Sequence, residues 1–207
     1  MATAKKLNTT ALLLIDIQLG FDDEEYWGPR SNAGFEHNVT SLLAAFRAVL
    51  PPTNILHVAH HSTNPKSPLH PSTGQTRHQP YADPLAEEFI FIKDVNSAFI
   101  GTELESELRR RGIKRLFICG LTTDQCVSTT VRMANNLHVC RTRNQNGEVE
   151  EGEVILVGDA TATHPAGGFD AELVQKVHEA TLGKEFCTLV TTEEAVAQVE
   201  RRAKDVE

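Results

Sequence analysis

Short apolar runs alternate with helical patterns along the whole chain, and this alternation restricts the fold more than any other feature of the sequence. The first run, "ALLLIDIQ", is continuously apolar and ends in an acid. It reads as a strand buried on both faces, with Asp16 at its exit. Between Phe35 and Leu50 the positions Val39, Leu42, Leu43, Phe46, Val49 and Leu50 recur at helical spacing, and Pro51-Pro52 stops the pattern. "NILHVAH" reads as the second strand, and the Pro/Ser/Thr/His-rich segment from His61 to Glu88 is too long for a plain connector. The series continues with strand "FIFIK", a helix near Thr102 to Arg111, strand "RLFICG" and a helix from Asp124 to Leu137. "LHVCRTR" and the polar stretch "NQNGEVEEGE" follow, the latter a surface hairpin turning at Asn146-Gly147. Strand "VILVGD", a helix near Phe169 to Leu182, strand "FCTLV" and a helix opening at Thr192 complete the chain. The expected fold class is α/β: three layers, α/β/α, around a doubly wound, mainly parallel, Rossmann-like sheet of about six strands covered on both faces.

With 207 residues, 40% of them hydrophobic and 23% charged, the chain is expected to form one domain over residues 1–207, with the hairpin as an insertion at about 141–153. A net charge of -8 without a basic patch argues against nucleic acid as a partner. No apolar run approaches the ~20 residues that cross a bilayer, so no membrane role is expected and the chain reads as cytoplasmic. Four scattered cysteines without a CxxC pair fit free thiols in that compartment.

In parallel sheets of this kind, ligands bind at the carboxyl ends of the strands. Three reactive side chains occupy such ends: Asp16, Lys93 after "FIFI", and Cys126 in "CGLTTDQCVSTT". Cysteine attacks as thiolate, so its pKa must be lowered or a base supplied. A helix N-terminus and Lys93 could do the first, Asp16 the second. Taken singly, Cys126 could be a small core residue, Asp16 a turn carboxylate and Lys93 a surface lysine; their joint placement favours chemistry. Neither GxxxxGK[ST], GxGxxG nor GxSxG is present. Two readings from other classes stay open: a binding protein that retains the fold, and a redox sensor in which Cys119 or Cys140 resolves an oxidised Cys126. Phe21, Tyr26 and Trp27 on the first exit loop, Phe99 after Lys93, and His60 at the second strand's exit are candidate substrate contacts, with Asn96 and Thr123 weaker ones.

These same stretches, "LLLIDIQ", "KDVNSAFIGTELESELRRRGIKRLFICGLTTDQCVSTTVRMA" and "VGDATATH", resemble the isochorismatase-like cysteine hydrolase family from about Leu12 to Glu194. The resemblance implies a catalytic triad of Asp16, Lys93 and Cys126, a cis peptide at Leu121-Thr122, and an oxyanion hole from the N–H groups of Thr122 and Cys126. It implies hydrolysis of a C–N bond in a small amide, ureide or carbamoyl compound through a thioester; isochorismate-cleaving relatives, which act on a vinyl ether, generally lack the cysteine. It also implies a homo-oligomer, dimer or tetramer, acting on a small-molecule substrate. Nicotinamidases of the family carry an Asp-x-His...His metal pattern after the second strand, and "VAHHSTNPKSPLHPSTG" lacks the Asp. Although nine histidines include His60, His61 and His70, no metal or other cofactor is therefore expected. The loop instead follows a branch pattern "H.S..P.SPL", carried by His60, Ser62, Pro65, Ser67, Pro68 and Leu69.

Overall fold

In the computed structural model, which describes residues 7–205, six parallel strands form one sheet. Residues 1–6 and 206–207, the ends of the expected domain, lie outside the described residues. The chain runs through β1 (Thr10–Ile15), α1 (Glu24–Trp27), α2 (Phe35–Val49), β2 (Ile55–His60), β3 (Phe89–Lys93), α3 (Leu104–Arg110) and β4 (Arg115–Leu121). It continues through α4 (Ser128–Asn136), β5 (Thr142–Arg143), β6 (Val149–Glu150), β7 (Glu153–Ala162), α5 (Ala171–Glu185), β8 (Thr188–Val190) and α6 (Thr192–Asp205).

Strand order is β3-β2-β1-β4-β7-β8, so the direction of winding reverses between β1 and β4. Exits on either side of such a reversal leave a crevice, and Asp16 and Cys126 flank this one. The continuous apolar runs follow from burial on both faces. Leu12 and Leu14 of β1 face a core shared with α2 and α6, while Ala11, Leu13 and Ile15 face a second core with Leu104 and Leu108 of α3, Val131 of α4 and Leu182 of α5. Every side chain of β1 is buried, because alternate residues of a pleated strand face opposite layers.

Helices cover both faces of the sheet in three layers as expected, except at one edge. Ile90 and Ile92 of β3 remain half exposed. The link from β2 to β3 is irregular chain with 3-10 turns at Pro71–Thr73 and Pro80–Ala82, so no crossover helix covers that face. The polar stretch forms the antiparallel pair β5–β6 as expected, with a different turn. The Gly147 N–H donates to the Asn144 carbonyl at 3.0 Å and Gly147 has φ of 81°, so the turn opens at Asn144 and Gly147 takes the left-handed position after it.

Helix placement around the cysteine also departs from expectation. The helix expected from Asp124 begins at Ser128; before it, Thr123–Val127 form a π turn in which the Val127 N–H donates to the Thr122 carbonyl at 3.1 Å. Just upstream, Gly120 has φ of 119°, and a Cβ there would lie 2.1 Å from the Ile15 carbonyl oxygen. Glycine thus lets β4 close on β1 at the point where the chain turns toward Cys126. The Leu121–Thr122 peptide is cis.

Candidate active site

At the carboxyl edge, neighbouring strands deliver their side chains side by side. Register pairs His60 of β2 with Lys93 of β3, and Asp16 follows β1 directly. Asp16 has φ of 52°, a left-handed conformation that aspartate tolerates better than most residues, and its N–H donates to the Val58 carbonyl at 3.0 Å. Buried Gln18 fixes this exit: its Nε2 donates to the carbonyls of His60 and Thr76 at 3.1 and 2.8 Å, and its Oε1 accepts from the His60 N–H at 2.8 Å. Sequence reasoning did not single out Gln18. Its place two residues after a strand-end acid was the available signal.

Lys93 is the hub. Its Nζ donates to Asp16 Oδ2 at 2.6 Å and to Cys126 Sγ at 3.3 Å, and lies 3.3 Å from His60 Nδ1. An ammonium group has no lone pair, so Nδ1 must be the acceptor nitrogen of His60 and the ring proton sits on Nε2. Burial and the Lys93 charge hold the His60 pKa below its ordinary value, which keeps the ring neutral. Asp16, His60 and Cys126 place their donor atoms within 4.8 Å of one another, an arrangement suited to a cation, and the Lys93 ammonium contacts all three. Positive charge at this point is therefore built into the chain.

Burial sets the proton inventory. The Asp16 and Lys93 side chains are 0% exposed. Desolvation raises the Asp16 carboxyl pKa, with Lys93 opposing, and Asp16 Oδ1 has no hydrogen-bond partner. Burial likewise raises the Cys126 thiol, the Asp16 charge adds to that rise, and Lys93 opposes it. Lys93 thus pulls the thiol pKa down as expected, but burial and the Asp16 charge outweigh it and the net shift is upward. In the resting site desolvation wins, so the sulfur keeps its proton and a base must remove it during attack.

Above the thiol lies a cavity of about 470 Å³. Phe21 and Trp27 from the β1 exit, His60 from β2, Ser62, Ser67 and Leu69 from the long loop, and Thr122 and Cys126 after β4 line it. Four residues of the loop pattern "H.S..P.SPL", His60, Ser62, Ser67 and Leu69, thus reach the lining, while Pro65 and Pro68 do not. Phe21 and Trp27 pack at 5.1 Å between ring centroids, and Trp27 Nε1 donates to the Gly20 carbonyl at 2.9 Å. Tyr26 and Asn96 also reach the lining. Phe99 does not: it packs in the core beneath with Ala98 and Leu104. Thr123 is likewise withdrawn, its hydroxyl bonded to that of Thr161 at 3.0 Å. His70 is spent on its own turn, with Nδ1 2.7 Å from Ser72 Oγ. Asp124, Gln125, Thr163 and His164 line the cavity and were not singled out from sequence; their place at the exit of strand β7, directly after Ala162, was the signal for the last two. All four cysteines are free thiols. Among the described residues no helix is long and apolar enough to cross a membrane.

Comparison with known proteins identifies the family. The Isochorismatase domain family matches residues 10–194, from the first residue of β1 to the first turn of α6. The isochorismatase family protein YrdC of Bacillus subtilis is 35% identical over 191 residues, covering 90% of this chain and 94% of that protein. The secreted isochorismatase effector Isc1 of Verticillium dahliae is 30% identical over 160 residues, covering 76% of this chain and 75% of that protein. Among solved structures, an isochorismatase-family protein from Chromobacterium violaceum superposes with a TM-score of 0.81 at 31% identity, covering 97% of this chain and 100% of that one. A cysteine hydrolase from Pseudomonas syringae, 22% identical with a TM-score of 0.76 over 97% of this chain and 99% of that one, shares the fold. With one fold, near-complete overlap and an Asp, a Lys and a Cys gathered at the sheet's carboxyl edge, this chain belongs to the isochorismatase family and has its cysteine hydrolase fold.

Proposed function

We propose that the protein hydrolyses the C–N bond of a small amide, ureide or carbamoyl compound through a thioester on Cys126. One observation carries this reading: a single buried ammonium, Lys93 Nζ, within hydrogen-bonding distance of both Asp16 Oδ2 and Cys126 Sγ at the floor of a ligand-sized cavity. As Sγ attacks the substrate carbonyl carbon, Asp16 Oδ1 takes the thiol proton, for which its raised pKa and unoccupied lone pairs suit it. The Lys93 ammonium stays in place and offsets the negative charge passed between sulfur and carboxylate. The oxyanion of the tetrahedral intermediate is assigned to the N–H groups of Thr122 and Cys126. Collapse re-forms the carbonyl and breaks the C–N bond, with the Asp16 proton passing to the departing nitrogen. Water, deprotonated by Asp16, then attacks the thioester; the sulfur leaves and recovers its proton.

The test is ammonia or amine release from a panel of primary amides, ureides and carbamoyl compounds, run beside a vinyl ether. Turnover of at least one C–N substrate that disappears in Cys126→Ala is expected. Vinyl ether cleavage that persists in Cys126→Ala would overturn the reading.

A further inference from the structure

We propose that the cavity selects substrates whose end remote from the scissile carbonyl donates N–H hydrogen bonds, neutral or cationic, and rejects carboxylate-bearing ones, with Asp124 and His164 as the selecting residues. The inference rests on the hydrolase reading of the site and narrows its substrate class.

Two acceptors without a full set of donors, Asp124 and His164, belong to the cavity lining. The Thr163 hydroxyl donates to Asp124 Oδ1 and pins the carboxylate at the lining, and among the described residues no hydrogen bond is made to Oδ2. His164 stacks on Phe21, with ring centroids 6.1 Å apart and planes 11° apart, and on Trp27 at 5.7 Å. Its Nδ1 lies 3.1 Å from the Gly28 carbonyl. A carbonyl only accepts, so Nδ1 carries the proton and Nε2 is left as an acceptor. That Nε2 is buried without a hydrogen-bond partner, in a residue 6% exposed. Burial holds the ring pKa below its usual value, so it stays neutral. An unsatisfied buried acceptor is recovered by a ligand donor, not by another acceptor.

No cationic side chain on the lining answers an anion. Among the described residues no lysine or arginine lines the cavity, and Lys93 beneath it is held by Asp16, His60 and Cys126. Arg30, on the far side of His164, faces Asp22 at 3.9 Å and the Phe35 ring. A substrate carboxylate would therefore meet Asp124 with no countercharge. Donor groups would meet Asp124 Oδ2 and His164 Nε2, and a cationic one would also face the aromatic rings of Phe21 and Trp27.

The test uses three carboxamides of equal size that differ only at the far end: an ammonium, an uncharged N–H amide and a carboxylate. Calorimetric binding to Cys126→Ala reads recognition without turnover. The carboxylate compound is expected to bind at least about tenfold more weakly than the ammonium one, as for one uncompensated charge contact near a protein surface. Asp124→Asn in the same background should shrink that ratio by about tenfold, and His164→Phe, which keeps the stacking, should weaken the uncharged amide severalfold. Equal or tighter binding of the carboxylate, an unchanged ratio in Asp124→Asn, or no binding by any of the three would overturn the inference. Binding in this order without hydrolysis by the native enzyme would fault the reaction assignment alone.

Discussion

Two buried carboxylates lie at opposite ends of this molecule's use of charge. Glu88, just before β3, accepts from Arg47 Nε and Nη2 at 2.7 and 2.8 Å, from His57 Nε2 at 2.8 Å and from the Leu85 N–H at 2.9 Å. Asp16 has one donor on Oδ2 and none on Oδ1. Burial pushes the Glu88 carboxyl up, but its bonds to Arg47, His57 and Leu85 outweigh that and bring it down to about 2; burial leaves Asp16 raised. A fully coordinated carboxylate is fixed in its ionised form and contributes to stability. One left half-coordinated beside a cavity and a thiol can still accept a proton.

Substitutions should separate these roles. The largest effect is expected at the thiol: Cys126→Ala should lower kcat by on the order of 10⁴-fold or more with the thermal transition little changed, and Asp16→Asn should do nearly as much damage to kcat. Steady-state rates with thermal melts would check this, and substantial turnover in either variant would undo the contrast. Next comes Lys93→Ala, which leaves Asp16 buried without its partner; a stability loss of about 3 kcal/mol should accompany the loss of activity in denaturant titrations. Glu88→Gln should reverse the pattern, with a stability loss of about 2 kcal/mol or more and kcat within a few fold of native. An equal loss of kcat there would mean that both clusters serve catalysis.

The pH responses should differ as well. A base works deprotonated, so kcat should fall as pH drops through the Asp16 pKa. That value is raised, so the acid limb should lie above the ordinary carboxylate value of about 3.9. Glu88 is depressed, so the stability it contributes is complete above about pH 4.5 and is lost as pH falls toward 2. Neighbouring His78 is held down to about 4 by burial, which adds a loss of stability between about pH 6.5 and 4. Activity and melting temperature measured across pH 3 to 8 in one buffer series would expose the two limbs. Smallest of all, Trp27→Ala should raise KM by about tenfold through lost wall contact, with kcat falling less.

The sequence was most readable where physics is local. Continuous apolar runs marked β1, β4 and β7 because both faces of each are buried, and Asp16, Lys93 and Cys126 stood out because the strand ends they follow share one edge. What escaped depends on distant partners. The Asp124–Thr163 and His57–Glu88 contacts join residues 39 and 31 apart, with no periodicity to announce them. Phe99 looked like pocket wall from its nearness to Lys93, but the turn after β3 sends it into the core with Leu104. Cys126 looked activated by its neighbours; its burial, which sequence spacing does not reveal, reverses the net shift. A π turn stands where a first helical turn was expected, and Cys126 within it lies 3.3 Å from Lys93 Nζ.

Acid-quenching the enzyme during turnover of a primary amide or ureide and mapping the acyl mass by peptide mass spectrometry would show whether Cys126 is the nucleophile of a C–N hydrolase. An adduct is expected only on the peptide carrying Cys126, absent from Cys126→Ala and more abundant when deacylation is slowed. Steady turnover by Cys126→Ala, or an adduct on another residue, would contradict it.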